Sequence, residues 1–266
     1  RRAQNLIEEA ARQHGGLTTL GPLVHNRQVT ERLAEVGVHT ARSVEELRTP
    51  IVAVSAHGVP PDTSAAIVNQ GRELIDGTCP FVRKAQHFAR DLAEAGYTVL
   101  IFGDPQHTEV KGILGWAGER GLVVPSPAEL PSRRPSAKIG VVAQTTQNSR
   151  NLAALVQQIV ERWFEDLTEL RVANTICHAS VDRQRSAEAL AREVDAMIVI
   201  GGRDSANTAR LREVCARVGT PTWQIEGASE LDPAWLAGKG KVGVTAGAST
   251  PDWVIAEVTA ALRALP

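Results

Sequence analysis

No stretch of this sequence is apolar for long enough to cross a bilayer, and nothing visible in it reads as a secretion signal. Cysteine is scarce. Three thiols, an odd number spread along 266 residues, exclude a disulfide framework and leave metal binding or plain burial as their uses. Charge of one sign is also missing: a formal net charge of -1 gives no basic field for nucleic acid, so an anionic ligand must be held by local hydrogen bonds. Heptads, low-complexity tracts and long charge blocks are absent too. These absences describe a chain expected in the cytoplasm, with neither membrane nor nucleic acid as partner. What remains, 43% apolar and 22% charged residues, suits a soluble globular protein with one substantial core or several small ones.

What is present is a repeat. Thr78-Cys79-Pro80 opens a helical pattern that stops at Gly96, the apolar strand 97–102 follows, and a polar turn then carries His107 and Glu109. Further on, Ile176-Cys177-His178 opens a helix, residues 196–200 form the strand, and Ser205, Ala206 and Asn207 fill the turn. Cys79 precedes His107, and Cys177 precedes Asn207, by roughly thirty residues, the scale of a repeated supersecondary unit. An earlier copy runs from the helix at Arg2 through the Gly15-Gly16 stop to His25-Asn26. If the repeat holds there, a third cysteine is expected upstream of Arg1.

Each unit has a second half in which an apolar strand delivers a polar group at its carboxyl end. The runs at 51–58, 139–146 and 242–249 carry His57, Thr145-Thr146 and Ser249 at their ends. That end is where open parallel α/β sheets bind ligands. Short, continuously apolar strands are expected when helices cover both faces. Ala85, Ala89, Leu92 and Ala93, like Ala187, Leu190, Ala191 and Val194, have the spacing of an amphipathic helix, and Pro80 suits a first helical turn. The pattern predicts three small parallel α/β domains, residues 1–78, 79–175 and 176–266, related by a pseudo-threefold axis around a central site.

Cys79 and Cys177 begin helices, where the macrodipole and free N–H groups favour thiolate, the ligand that iron–sulfur clusters require. Equivalent placement in two copies raises this reading above burial. Cys215, late in a helix and without a counterpart, reads as core. His25, His57 and His107 follow strands at corresponding places. With Thr145, Ser205, Asn207 and Ser249 they form a set of donors suited to a diphosphate. Glu109 beside a phosphate could hold a raised pKa and serve as a proton donor. His14, His39, His87 and His178 fit solvated or helix-terminal positions, and Gly201-Gly202 lacks the spacing of a dinucleotide fingerprint.

The strings Val24-His-Asn-Arg27, Ser55-Ala-His-Gly-Val59, Thr78-Cys-Pro80, His107-Thr-Glu-Val-Lys-Gly112, Gln144-Thr-Thr146, Ser205-Ala-Asn207 and Gly243-Val-Thr-Ala-Gly-Ala-Ser249 resemble the 4-hydroxy-3-methylbut-2-enyl diphosphate reductase family. The resemblance spans nearly the whole chain. It implies a 4Fe–4S cluster held by cysteines, with Cys79 and Cys177 as ligands and another upstream of Arg1. It also implies that His25, His57, His107, Ser205, Asn207 and Ser249 grip the diphosphate and that Thr145 positions the substrate hydroxyl. Glu109 resembles the proton donor, and the electron donor would be a ferredoxin or flavodoxin. Ala206 stands where a second serine is common, leaving only its backbone N–H for the phosphate, Thr108 replaces a usual proline, and Asp104 a small or basic residue. Two alternatives remain beside the reductase: a diverged paralogue with another substrate, and a diphosphate-binding protein that has lost its cluster.

Overall fold

The computed structural model describes residues 2–23 and 27–265, so His25 and Asn26 lie outside the described residues. The first repeat runs α1 (Arg2–His14), β1 (Leu17–Leu20), α2 (Arg27–Glu35), β2 (Val38–Ala41), β3 (Ile51–Val54), α3 (Pro61–Asn69) and β4 (Glu73–Asp76). The second runs α4 (Pro80–Glu94), β5 (Thr98–Phe102), α5 (Thr108–Ala117), β6 (Gly121–Val124), β7 (Lys138–Ala143), α6 (Ser149–Trp163) and β8 (Glu169–Val172). The third runs α7 (His178–Ala191), β9 (Ala196–Ile200), α8 (Ala206–Arg217), β10 (Thr222–Ile225), β11 (Val242–Ala246) and α9 (Asp252–Arg263).

Three parallel sheets result, with strand orders β2-β1-β3-β4, β6-β5-β7-β8 and β10-β9-β11. In each, the chain leaves a central strand to one side and returns on the other. The switch point therefore falls between β1 and β3, β5 and β7, and β9 and β11, and opens a crevice at their carboxyl ends. Two elements escape the sequence pattern. One is the helix after the central strand in the first two repeats (α2, α5), whereas in the third the helical stretch ending near Cys215 is the end of α8. The other is the fourth strand, β4 or β8, a short polar edge that closes the first two sheets and, among the described residues, has no counterpart in the third.

The central strands β5 and β9 are almost continuously apolar because helices cover both faces: every residue of β9 is buried, and so are Val99 to Phe102 of β5, while β1 carries two buried threonines. The predicted stripe of α4 lands on its sheet. Ala85, Ala89 and Leu92 pack with Tyr97, Val99, Ile101 and Val142. The alanines let the helix lie close, and a residue such as Leu92 contributes roughly 1.5–3 kcal/mol by leaving water. On α7, Ala187 and Ala191 meet Met197, Val199, Leu211 and Cys215. Burial pushes the Cys215 thiol up to about 11, so this cysteine is an unreactive core residue.

The chain's contacts group into two compact units, residues 1–23 with 33–177 and residues 24–32 with 178–266. The first two sheets share one unit because their repeats are packed without clearance. A methyl group on Gly115 of α5 would stand 2.5 Å from Pro60, and the Trp116 indole donates to the carbonyl of Val59. Among the described residues, no helix is long and apolar enough to cross a membrane.

Candidate active site

The two cysteine segments are built alike. Asp76 and Asn174 each accept, through Oδ1, a backbone N–H two residues on, from Thr78 at 2.8 Å and from Ile176 at 3.2 Å. These Asx turns carry the chain out of β4 and β8 and deliver Cys79 and Cys177 to the starts of α4 and α7. The Cys79 N–H then donates to the carbonyl of Ala56, and the Cys177 N–H to that of Thr145, both acceptors being the second residue past β3 or β7. Asp or Asn three residues before each cysteine is the sequence signal for this device.

In the second copy a further pin holds the segment. Ala143 N–H donates to Thr175 Oγ1 at 2.8 Å, and the same hydroxyl donates to the Ala143 carbonyl at 2.5 Å. Thr175→Val, which leaves that buried N–H without an acceptor, is expected to lower stability by about 1–3 kcal/mol, read from a shift in the urea midpoint.

The crevice between β5 and β7 holds the acid. The pattern puts His107 and Glu109 in a turn; the structure corrects this. His107 is the N-cap of α5, and Glu109 lies inside its first turn. The Glu109 N–H donates to His107 Nδ1 at 3.2 Å, so the imidazole carries its proton on Nε2. The Glu109 side chain, only 2% exposed, turns into the crevice. There Oε1 accepts the Thr145 N–H at 2.6 Å and Oε2 accepts the Thr145 hydroxyl at 2.9 Å. Burial dominates over these two bonds and raises the Glu109 pKa from 4.5 to about 7.

The first unit thus links most of the predicted residues into one path of contacts. Cys177 bonds to Thr145, Thr145 to Glu109, and Glu109 to His107. The ring of His107 meets His57 edge to face, with centroids 5.2 Å apart and planes at 88°. His57 is steadied by Ser55, whose Oγ accepts its backbone N–H and lies 3.1 Å from its Nδ1. Its neighbour Ala56 accepts from Cys79.

In the second unit the carboxyl ends of the adjacent strands β9 and β11 bring Ser205, Ala206, Asn207 and Ser249 to the equivalent crevice. Ser205 caps α8, accepting the Thr208 N–H, and Asn207 holds the place on α8 that Glu109 holds on α5. The correspondence extends to the backbone. Gln144 and Gly247 donate to the last residue of the neighbouring central strand, Phe102 and Ile200, in the same way.

Buried polar atoms without partners single out the same places. Among the described residues these atoms are Gln86 Nε2, Gln144 Nε2, Trp163 Nε1, both amide atoms of Asn207, and Thr208 Oγ1. Only Trp163 lies away from the crevices and the His57 turn. Such atoms are costly without a ligand or water to meet them, and at Asn207 a donor and an acceptor wait side by side. Cys79 and Cys177 are unpaired and half-buried, the state a thiolate ligand needs. They fit an iron–sulfur group chemically. Among the described residues no three His, Cys, Asp or Glu side chains gather into a metal site.

A switch-point crevice that gathers a buried acid, a histidine pair and two matched cysteines is the kind of site an α/β enzyme builds. The family model described as LytB protein matches residues 1–263, and the chain belongs to that family. A relative from Geobacter metallireducens, a 4-hydroxy-3-methylbut-2-enyl diphosphate reductase, is 46% identical over 263 residues, covering 99% of this chain and 92% of its own. A solved structure of (E)-4-hydroxy-3-methyl-but-2-enyl diphosphate reductase, the terminal enzyme of the non-mevalonate pathway, is 38% identical. It superposes with a TM-score of 0.70 over 98% of this chain and 93% of that one. The E-1-hydroxy-2-methyl-but-2-enyl-4-diphosphate reductase of Plasmodium falciparum, 24% identical, shares the fold with a TM-score of 0.91 over 100% of this chain and 84% of its own.

Proposed function

We infer that this chain is a 4-hydroxy-3-methylbut-2-enyl diphosphate reductase, an oxidoreductase of the non-mevalonate route to isoprenoids. The reaction breaks an allylic C–O bond, takes up two electrons and two protons, releases water and yields isopentenyl and dimethylallyl diphosphates. The observation that best supports this reading within the chain is the Glu109–Thr145 pair, a carboxyl poised to give up a proton near neutral pH beside a hydroxyl.

In this reading Cys79 and Cys177 hold a 4Fe–4S cluster together with a ligand from outside the described residues. When bound, the cluster supplies electrons and a Lewis-acidic iron. The protein's own contribution is grip, orientation and protonation. His57 and His107 bind the diphosphate with His25, Ser205, Asn207 and Ser249, and His107 donates from Nε2 because its Nδ1 is engaged by Glu109. The Ala206 N–H stands at the start of α8, where free backbone donors favour an anion. Thr145 Oγ1, held by Glu109 Oε2, orients the departing hydroxyl, and Glu109 delivers the proton that converts it to water. A ferredoxin or flavodoxin as reductant and a cytoplasmic location belong to the same reading.

The testing experiment combines iron and acid-labile sulfide analysis with an anaerobic assay on the pathway substrate. About four of each per chain and conversion to both products are expected. A reconstituted protein without iron, or one inert toward this substrate, would defeat the reading.

A further inference from the structure

Gln86 lies on α4 about two helical turns beyond Cys79, with only 3% of its surface exposed. Its Nε2 has no hydrogen-bond partner among the described residues. An amide donor in that condition is destabilising, and a helix surface offers many apolar residues that would pack there at less cost. The surroundings show what the donor faces. A methyl group on Gly58, whose φ is +68°, would stand 2.4 Å from Gln86 Nε2. A methyl group on Gly112 of α5 would stand 3.3 Å from the same nitrogen, 3.6 Å from the His57 carbonyl oxygen and 3.7 Å from that of Gly58. Two glycines therefore make the room that the Gln86 amide fills where α4, α5 and the turn after β3 converge. There the amide donor lies against the His57 and Gly58 carbonyls without a hydrogen bond to either. Gly112 follows Glu109 by about one turn of α5, and the turn carries His57, so the amide sits behind both the grip and the acid.

We propose that Gln86 is a positioning residue for the diphosphate grip: its amide is the donor onto which the His57–Gly58 peptide closes when a diphosphate draws the His57 ring toward itself. The inference rests on the reading of His57 as a diphosphate ligand. In the bound protein the new hydrogen bond fixes the imidazole against α5.

The test uses the cluster-loaded enzyme and five proteins: parent, Gln86→Met, Gln86→Leu, His57→Ala and the variant combining Gln86→Met with His57→Ala. Methionine keeps the volume and flexibility of glutamine and removes the donor. Thermal stability and iron content at or above the parent's are expected for Gln86→Met, since an unmet buried donor has gone. The KM for substrate should rise about tenfold with kcat nearly unchanged, the scale of one hydrogen bond. The double variant should be no worse than His57→Ala alone, because Gln86 acts through that ring. A parental KM in both Gln86 variants, beside a raised KM in His57→Ala, would overturn the inference alone. Multiplicative losses in the double variant would overturn it as well. A parental KM in His57→Ala would remove His57 from the diphosphate site and take the Gln86 inference with it.

Discussion

Replacing Glu109 with glutamine is expected to cut turnover by about 10²–10⁴-fold, the usual contribution of a positioned proton donor, while leaving the fold intact. Glutamine can keep both local bonds: its oxygen accepts the Thr145 N–H, and its amide donates to the Thr145 hydroxyl, which now acts as acceptor. Only the transferable proton is lost. The same substitution should alter stability in the opposite direction. Glu109 titrates near 7 in the folded chain and near 4.5 when exposed, so the folded state binds the proton more tightly. Its contribution is fully present below about pH 4.5 and is lost as pH rises through about 7, a change of about 3 kcal/mol. The glutamine variant, having no charge to bury, should therefore match the parent at about pH 4 and exceed it by up to that amount at about pH 8. Denaturant midpoints across this range decide the matter, because a difference independent of pH would show that the carboxyl is not raised. Parental turnover in the variant would remove Glu109 from the reaction. For the parent, activity should fall as pH climbs past about 7, when the donor is lost.

The second large effect concerns the thiols. Cys79→Ser and Cys177→Ser should each abolish cluster retention and turnover together, because a serine oxygen is a poor ligand for iron–sulfur groups at this pH. Secondary structure should persist. Each cysteine is held by its backbone N–H, donating to Ala56 or Thr145, and by the Asx turn before it, none of which involves sulfur. Iron and sulfide analysis beside far-ultraviolet circular dichroism reads both halves of the expectation. Either variant binding the parental amount of iron would show that its cysteine is not a ligand. Cys215→Ser provides the contrast: it should keep the cluster and lose some stability, since that thiol is buried against Met197, Val199 and Leu211.

How far the sequence discloses this arrangement depends on which physical signal each part emits. Apolar strands bounded by glycine, and helices begun by a cysteine and striped with alanine, announce themselves through periodicity. The three parallel sheets followed from them. The helix α5 does not announce itself. Its first turn is polar because Glu109 faces a ligand crevice, its interior contains Gly112 and Gly115, and its cap is a histidine, a residue seldom found in that role. Sequence reasoning therefore made a turn of it, although it gave Glu109 the raised pKa of a proton donor, and the carboxyl is almost wholly enclosed. The edge strands β4 and β8 are silent for another reason: they are short, and half of their residues face solvent. Gln86 is silent altogether, because only the proximity of two glycines distant in sequence gives its amide a meaning.

The matching of α5 with α8 has one more consequence. At the second residue of these helices, behind a side-chain cap and opposite the turn that leaves the next strand, the chain carries a carboxylic acid in one copy and a carboxamide in the other. The molecule thus contains its own control experiment. One backbone geometry has accepted both groups, so the fold does not require an acid at residue 109, and chemistry at that position can be exchanged without renegotiating the fold.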